Sequence, residues 1–379
     1  MLAIIRQEVV ERRRWIDDAQ LSVAVAMGQM LPGPFVSNYA EYIGYELRGM
    51  RGMVVAVIAL LAPCFVLMCG LSFLYFRFGS VPLVTKLFSG VQPVVVGILA
   101  WATWSIGKAN ITGWRSVVIG GIAATALFLK VDVLLVVVGC GVLGILLNGK
   151  GSRDQEIEGS SGKPGVTRAE AKSQESKAKG QSDGRLTALA PLLPLALFTA
   201  VAAGPTAWQK AGELALVFLK VGTVIFGGGF AAIPFLQHEV VDVHHWLSMR
   251  EFIDGVALGQ ITPGPVAITA AFIGYKVLGL WGALIAALGT FLPSSLMLWG
   301  LIHVYRRVSS NALVQGFLSG VMPAVTGMIL TATVFVGKSA ISGPVQAVLA
   351  PLTLGLLLRF KVEPVWLILG GALIGLVTR

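Results

Sequence analysis

The chain has 379 residues, 55% of them hydrophobic and 13% charged, with a formal net charge of +10 and a mean hydropathy of +0.80. A soluble globular protein carries roughly 25% charged residues, so the composition excludes an ordinary soluble fold and points to an all-α integral membrane protein with the lipid bilayer as its solvent. Many basic residues sit in short loops, where membrane topology explains them, and no nucleic-acid partner follows from the charge.

Apolar stretches of near-spanning length run over 20–46, 53–77, 91–108, 114–129 and 132–147. The opening turns, Arg6 to Arg14, are charged and lack the apolar core of a signal peptide. Asn148 to Arg185 is rich in Gly, Ser, Lys and Glu and reads as a flexible hydrophilic linker. A second set covers 186–203, 211–230, 252–277, 280–303, 317–337, 342–358 and 363–378, making about twelve apolar segments by the spanning-length criterion. The expected organisation is a first membrane repeat over 1–147, the linker over 148–185 and a second membrane repeat over 186–379.

The two sets are copies. Gly28-Gln29-Met30-Leu31-Pro32-Gly33-Pro34 returns as Gly259-Gln260-Ile261-Thr262-Pro263-Gly264-Pro265. Glu8-Val9-Val10 followed by Trp15 matches Glu239-Val240-Val241 followed by Trp246. Gly44-Tyr45 matches Gly274-Tyr275, Pro63 matches Pro293, and Ser89-Gly90-Val91 matches Ser319-Gly320-Val321. One register with a single slip after the Pro-Gly-Pro box covers them all. Proline lacks the N–H and clashes with the preceding turn, so each box predicts a helix broken at membrane depth. Paired breaks in two halves point to a transporter's binding site.

Ahead of Glu239 lies a second unwound element, Phe226-Gly227-Gly228-Gly229 with Pro234 beyond it. Its counterpart in the first repeat would precede Met1, and the expectation is a start further upstream. Full crossings by the broken segments would give an odd number of crossings between equivalent points and invert the second repeat; re-entrant hairpins would make the repeats parallel. Arg6, Arg12, Arg13 and Arg14 stand where the second half has His238, Asp242, His244 and His245, a charge contrast that favours inversion.

With these residues the chain resembles the chromate ion transporter family, through Phe226 to Gly229, the repeated Glu-Val-Val and Trp, the paired Gly-Gln-x-x-Pro-Gly-Pro and the Gly-Tyr after each. The resemblance covers nearly everything outside the linker. It implies two homologous halves in opposite orientations in a prokaryotic plasma (inner) membrane. It also implies a multi-pass protein that exports chromate at the expense of proton motive force and confers chromate resistance. Sulfate would be a competing analogue, and the alternative reading is a transporter or channel for sulfate or another small anion. No Walker-type phosphate loop, nucleophile–base pair or cofactor motif occurs, so neither an ATP-driven pump nor an enzyme is expected; a homo-oligomer is compatible with the pattern.

An oxyanion losing its water needs fixed donors, and the free N–H groups of a half-helix N-terminus supply them together with the positive end of its dipole. The expected substrate site therefore comprises Gly28, Gln29, Pro32, Gly33, Pro34 and Asn38 in the first repeat. Gly259, Gln260, Thr262, Pro263, Gly264, Pro265 and Thr269 form its second wall, and Gly227, Gly228 and Gly229 offer an anion nest. The competing reading is that Pro-Gly-Pro only bends a helix while the glutamines bond freed carbonyls. Glu8 and Glu239 are the candidates for proton coupling, against a reading as solvated interfacial acids. His244 and His245 read as a solvated loop, with no metal site expected. Cys64, Cys69 and Cys140 read as packing residues.

Overall fold

The computed structural model describes residues 5–79, 81–148, 205–309, 311–360 and 362–377. The expected linker and the apolar stretch 186–203 lie outside them. Among the described residues the secondary structure is entirely helical. One compact unit comprises 1–150 and 211–379; the other, 151–210, contributes only the opening turns of a helix at 205–210 to the description.

In the first repeat a π turn at Gln7–Arg12 leads to α1, Asp18–Met30. α2 follows at Phe35–Phe78, α3 at Pro82–Asn110, α4 at Trp114–Phe128 and α5 at Val133–Asn148. In the second, α6 is Pro205–Val224 and a glycine loop leads into α7, Ala232–Gln237. A π turn at His238–Val243 precedes α8, Met249–Ile261. A short 3-10 turn at Val266–Ile268 opens α9, Thr269–Ser309, and α10 (Ala312–Ala340), α11 (Pro344–Phe360) and α12 (Pro364–Val377) complete it. From the π turn onward the copies share one order of elements. α1 and α8 each start on a capping box, Asp17 with Gln20 and Ser248 with Glu251, which satisfies the first free N–H groups. α3 and α10 are 29 residues each, and with α2 and the Val266–Tyr305 stretch they are long and apolar enough to cross a membrane. Large apolar side chains such as Val55, Val66 and Leu135 remain exposed, as lipid-facing residues do.

The Pro-Gly-Pro boxes break the chain as predicted, over 31–34 and 262–265, but they do not make full crossings. Gly28 rests on Tyr39, Gly259 on Thr269 and Gly255 on Phe272. Residues well before and after each break therefore touch, so each box is the tip of a helical hairpin. Each first arm has 13 residues, about 20 Å at ~1.5 Å per residue, too short for a hydrocarbon core of roughly 30 Å. A second reversal follows at Arg48-Gly49 and at Leu278-Gly279, where the glycines take φ +58° and +57°. There Gly44 meets the Gly52 carbonyl and Gly274 the Gly282 carbonyl, and only glycine lets the two arms approach so closely.

The repeats are nonetheless inverted, and the helix contacts show it directly. α3 and α10 are equivalent in the repeat register and pack on each other antiparallel: Val96 lies by Gly337, and Gly107 by Thr326. Midway, the equivalent residues Thr103 and Thr333 bring their hydroxyl oxygens to 3.4 Å. The pseudo-twofold axis thus passes between two threonines, perpendicular to the spanning helices. The crossing count had included 186–203, which lies outside the described residues.

The repeats also exchange partners. α3 packs on α11 and α12, and α10 packs on α4 and α5. Gly90 sits on the Gly371 carbonyl and Gly320 on the Cys140 carbonyl, so close small-residue contacts replace the hydrophobic effect that lipid cannot supply. One polar lock joins the repeats off the axis. Asp254 of α8 is 5% exposed and accepts from Tyr75 Oη at 2.8 Å and from Gln92 Nε2 at 2.8 Å. Asp254→Ala leaves a half-buried phenol and a half-buried amide without their acceptor. It is expected to destabilise the protein by about 3 kcal/mol, read as a lower thermal midpoint in detergent.

Candidate functional site

The three unwound elements expected from the sequence meet at one place. The Gly33 N–H donates to the Ile225 carbonyl at 2.6 Å, which ties the first hairpin tip to the start of the glycine loop. Gly228 packs on the Phe35 ring and Gly229 on Val266. Phe35 and Val266 each open the half-helix that follows a Pro-Gly-Pro box. Two successive glycines therefore touch the two half-helix N-termini, whose first N–H groups lack intrahelical acceptors. Gly227 and Gly228 take φ +93° and +96°.

Each hairpin tip is seated on the other repeat's long helix. Gly33 abuts Ser294 of α9, and Gly264 abuts Cys64 of α2, a pair of contacts related by the pseudo-twofold. Cys64 does more than pack: its thiol lies 2.7 Å from the Pro263 carbonyl, whose usual helical donor is excluded by the break. Cys69 and Cys140 are buried and free.

The remaining expected residues divide by environment. Pro32, Pro34, Asn38, Gly259, Pro265 and Thr269 are buried, and Pro263 and Gln29 are exposed. Gln260 is half-buried, with its amide nitrogen buried and unpartnered. Thr262 donates to the Leu258 carbonyl and Thr269 to the Val266 carbonyl, so both hydroxyl hydrogens are used within the fold and both oxygens remain acceptors.

The repeated acids have unlike surroundings. Glu8 is half-exposed, clamped by Arg13 at 2.6 Å and Arg12 at 3.2 Å, and the hydrogen bond from Arg13 foremost holds its carboxyl below the usual carboxylate range. Glu239 is not a solvated acid. It is 5% exposed and accepts from Lys220 Nζ at 2.7 Å; the same ammonium reaches Asp132 at 2.7 Å. His244 is drawn in as well, pairing with Glu213 at 2.8 Å and stacking on Trp246, whereas His245 is exposed. Ligand-type atoms of Asp132, His238 and Glu239 lie within 4.8 Å of one another, and Lys220 already supplies a positive charge to both acids. Beside this network a cavity of about 180 Å³ is lined by Lys130, Lys338, His238, Gln237 and Asp242, among others. At roughly 30 Å³ per water it has room for a small hydrated anion.

Lys220, Asp254 and Glu41 were not singled out from the sequence. The available signal was their isolation within apolar helices, since an intramembrane ionisable residue is a functional candidate by default.

Fold and site together define a multi-pass membrane transporter built from inverted repeats around broken helices. The chain belongs to the chromate transporter family, whose model matches residues 1–145 and 212–376. It is 30% identical over 379 residues to the chromate transport protein of Cupriavidus metallidurans, covering 98% of this chain and 86% of the relative. It is 29% identical over 345 residues to the probable chromate transport protein of Synechococcus elongatus, covering 90% of this chain and 80% of the relative. The uncharacterized transporter YwrA of Bacillus subtilis is 34% identical over 166 residues, which are 43% of this chain but 93% of that protein, so a near-complete relative corresponds to less than half of this chain. No solved structure matches.

Proposed function

We propose that this protein is a secondary transporter, not an enzyme, that exports chromate across the plasma (inner) membrane at the expense of proton motive force and so confers chromate resistance. The observation that carries the reading is the meeting of two half-helix N-termini with the glycine loop in the seam between inverted repeats. Backbone donors with positive dipole ends suit a tetrahedral dianion, and they carry no formal charge that would hold it too tightly to release. The cavity with Lys130 and Lys338 offers an attracting field on one approach. Sulfate has the same shape and charge and is expected to compete. Movement of one repeat against the other around the tips would expose the site alternately.

In this reading the substrate is held by the backbone at Gly264 and Gly227 to Gly229, with Gln260 as the side-chain donor, while the Gly33 N–H ties the first tip to the glycine loop. Everted membrane vesicles given labelled chromate should accumulate it saturably, lose the accumulation on uncoupling and show inhibition by excess sulfate. Gln260→Leu removes the amide that faces the interior without a partner and should raise the apparent KM for chromate about tenfold, the loss of one hydrogen bond to a charged ligand. An unchanged KM and rate would remove Gln260 from the site.

A further inference from the structure

Two polar side chains on one face of the first hairpin have no hydrogen-bond partner. Asn38 and Glu41 are both 0% exposed, and both polar atoms of each are unsatisfied. They are three residues apart on α2, hence on one helix face. Asn38 adjoins Gly28 and Gly33 at the hairpin tip. Ser295 of α9 faces Glu41, but it donates instead to the Phe291 carbonyl at 3.1 Å. A carboxylate buried without a cation costs several kcal/mol or more, and such a group is carried neutral, with its proton.

No charged group neutralises Glu41 among the described residues packed around it. α9 presents Ser295 beside it, with His303 further along against Tyr45 and Tyr305 near Tyr42. The acids at the start of α1, Asp17 and Asp18, serve the helix cap and Arg6. On α8, Asp254 is bonded to Tyr75 and Gln92. The second repeat has no equivalent acid, since Ala271 takes the place of Glu41 in the repeat register.

From this placement we infer that Glu41 is the proton-carrying group of the transport cycle, held beside the anion site by the first hairpin, and that Asn38 orders the water through which its proton passes. The inference rests on the transporter reading above. The step is a simple exchange: the Glu41 O–H bond breaks, the proton passes to water on one side, and the bond is remade from water on the other. An ionised Glu41 would repel a dianion at the adjoining tip, so proton and anion bind together. One proton with one dianion leaves a net negative charge, and an inside-negative potential drives that charge outward.

The test compares wild type, Glu41→Gln and Glu41→Asp in reconstituted vesicles, measuring chromate counterflow against pH together with the infrared carbonyl stretch of protonated carboxylic acids. Wild-type affinity should fall about tenfold per pH unit above its midpoint, as one linked proton requires. Glu41→Gln should lose that dependence and one protonated-acid band, while Glu41→Asp keeps both with a displaced midpoint. The titration of chromate itself is common to all three proteins. A Glu41→Gln profile that follows wild type, an unchanged infrared spectrum, or a requirement for sodium instead of protons would each overturn the inference. If Glu41→Gln carries nothing, the Glu41→Asp midpoint decides: displaced supports the assignment, unmoved overturns it. A wild type that carries neither chromate nor sulfate removes the transport reading, and the infrared comparison still tests the protonation of Glu41.

Discussion

Lys220→Met should unfold the seam locally and abolish transport, and Lys220→Met with Glu239→Gln and Asp132→Asn should restore much of the lost stability. Lys220 bonds both Asp132 and Glu239 at 2.7 Å, and the Glu239 side chain is 7% exposed. Removing the ammonium leaves a buried carboxylate facing a second one, with only the His244 ring at 3.6 Å beside it. Breaking a fully buried pair costs about 3–5 kcal/mol. The lysine and Asp132 side chains keep 32% and 37% exposure, so solvent screening lowers the expected loss to about 2–3 kcal/mol. In detergent this is a fall of about 5 °C in thermal midpoint. The triple variant replaces charge with neutral polar groups and should recover most of that fall. A Lys220→Met protein with an unchanged midpoint would show that the network contributes nothing to the seam. A triple variant that is stable but inactive would assign the charges to the transport cycle instead.

The second large effect belongs to the hairpin tips. Gly33 and Gly264 take φ +113° and +141°, backbone that L side chains rarely adopt, at a cost of about 1–3 kcal/mol. An added Cβ would also collide with Ser294 at Gly33 and with Cys64 at Gly264. Gly33→Ala and Gly264→Ala are each expected to lower transport about fivefold or more, since the low end of that strain is about 1 kcal/mol. The two causes can be separated. Cys64→Ala removes the thiol that Gly264→Ala strikes, so the double variant should regain part of the loss. The backbone strain stays, so the recovery should be incomplete. Ser294→Gly plays the same part for Gly33→Ala. Full activity in either alanine variant would mean that the tips do not shape the substrate path.

Much of the candidate site was legible because its signals are local. Proline removes a donor and glycine admits positive φ wherever they stand in the chain, so the breaks at 31–34 and 262–265 and the glycine loop could be placed from residue type alone. The same spacing appears twice, which made the duplication itself legible. Ionisable residues were harder to interpret. Glu8 and Glu239 are equivalent in sequence and were read alike, yet one lies half-exposed between arginines and the other is buried against a lysine. Glu41 lay within a broken segment that was read for its proline and glycine, and the absence of a partner is visible only when every neighbour is in place.

By itself the sequence determined the membrane class, the duplication and the positions of the breaks, since hydropathy, proline and glycine act within a few residues of where they occur. Only the tertiary structure decided that each break is a hairpin tip, that the repeats cross antiparallel and exchange partners, and that Lys220 serves two acids while Glu41 serves none. Those outcomes depend on contacts between residues far apart in the chain, such as Gly33 with Ser294 and Asp254 with Gln92. In a membrane, where apolar faces are satisfied by lipid on any side, close packing and polar satisfaction select the partner, and neither leaves a mark on the periodicity of a single segment.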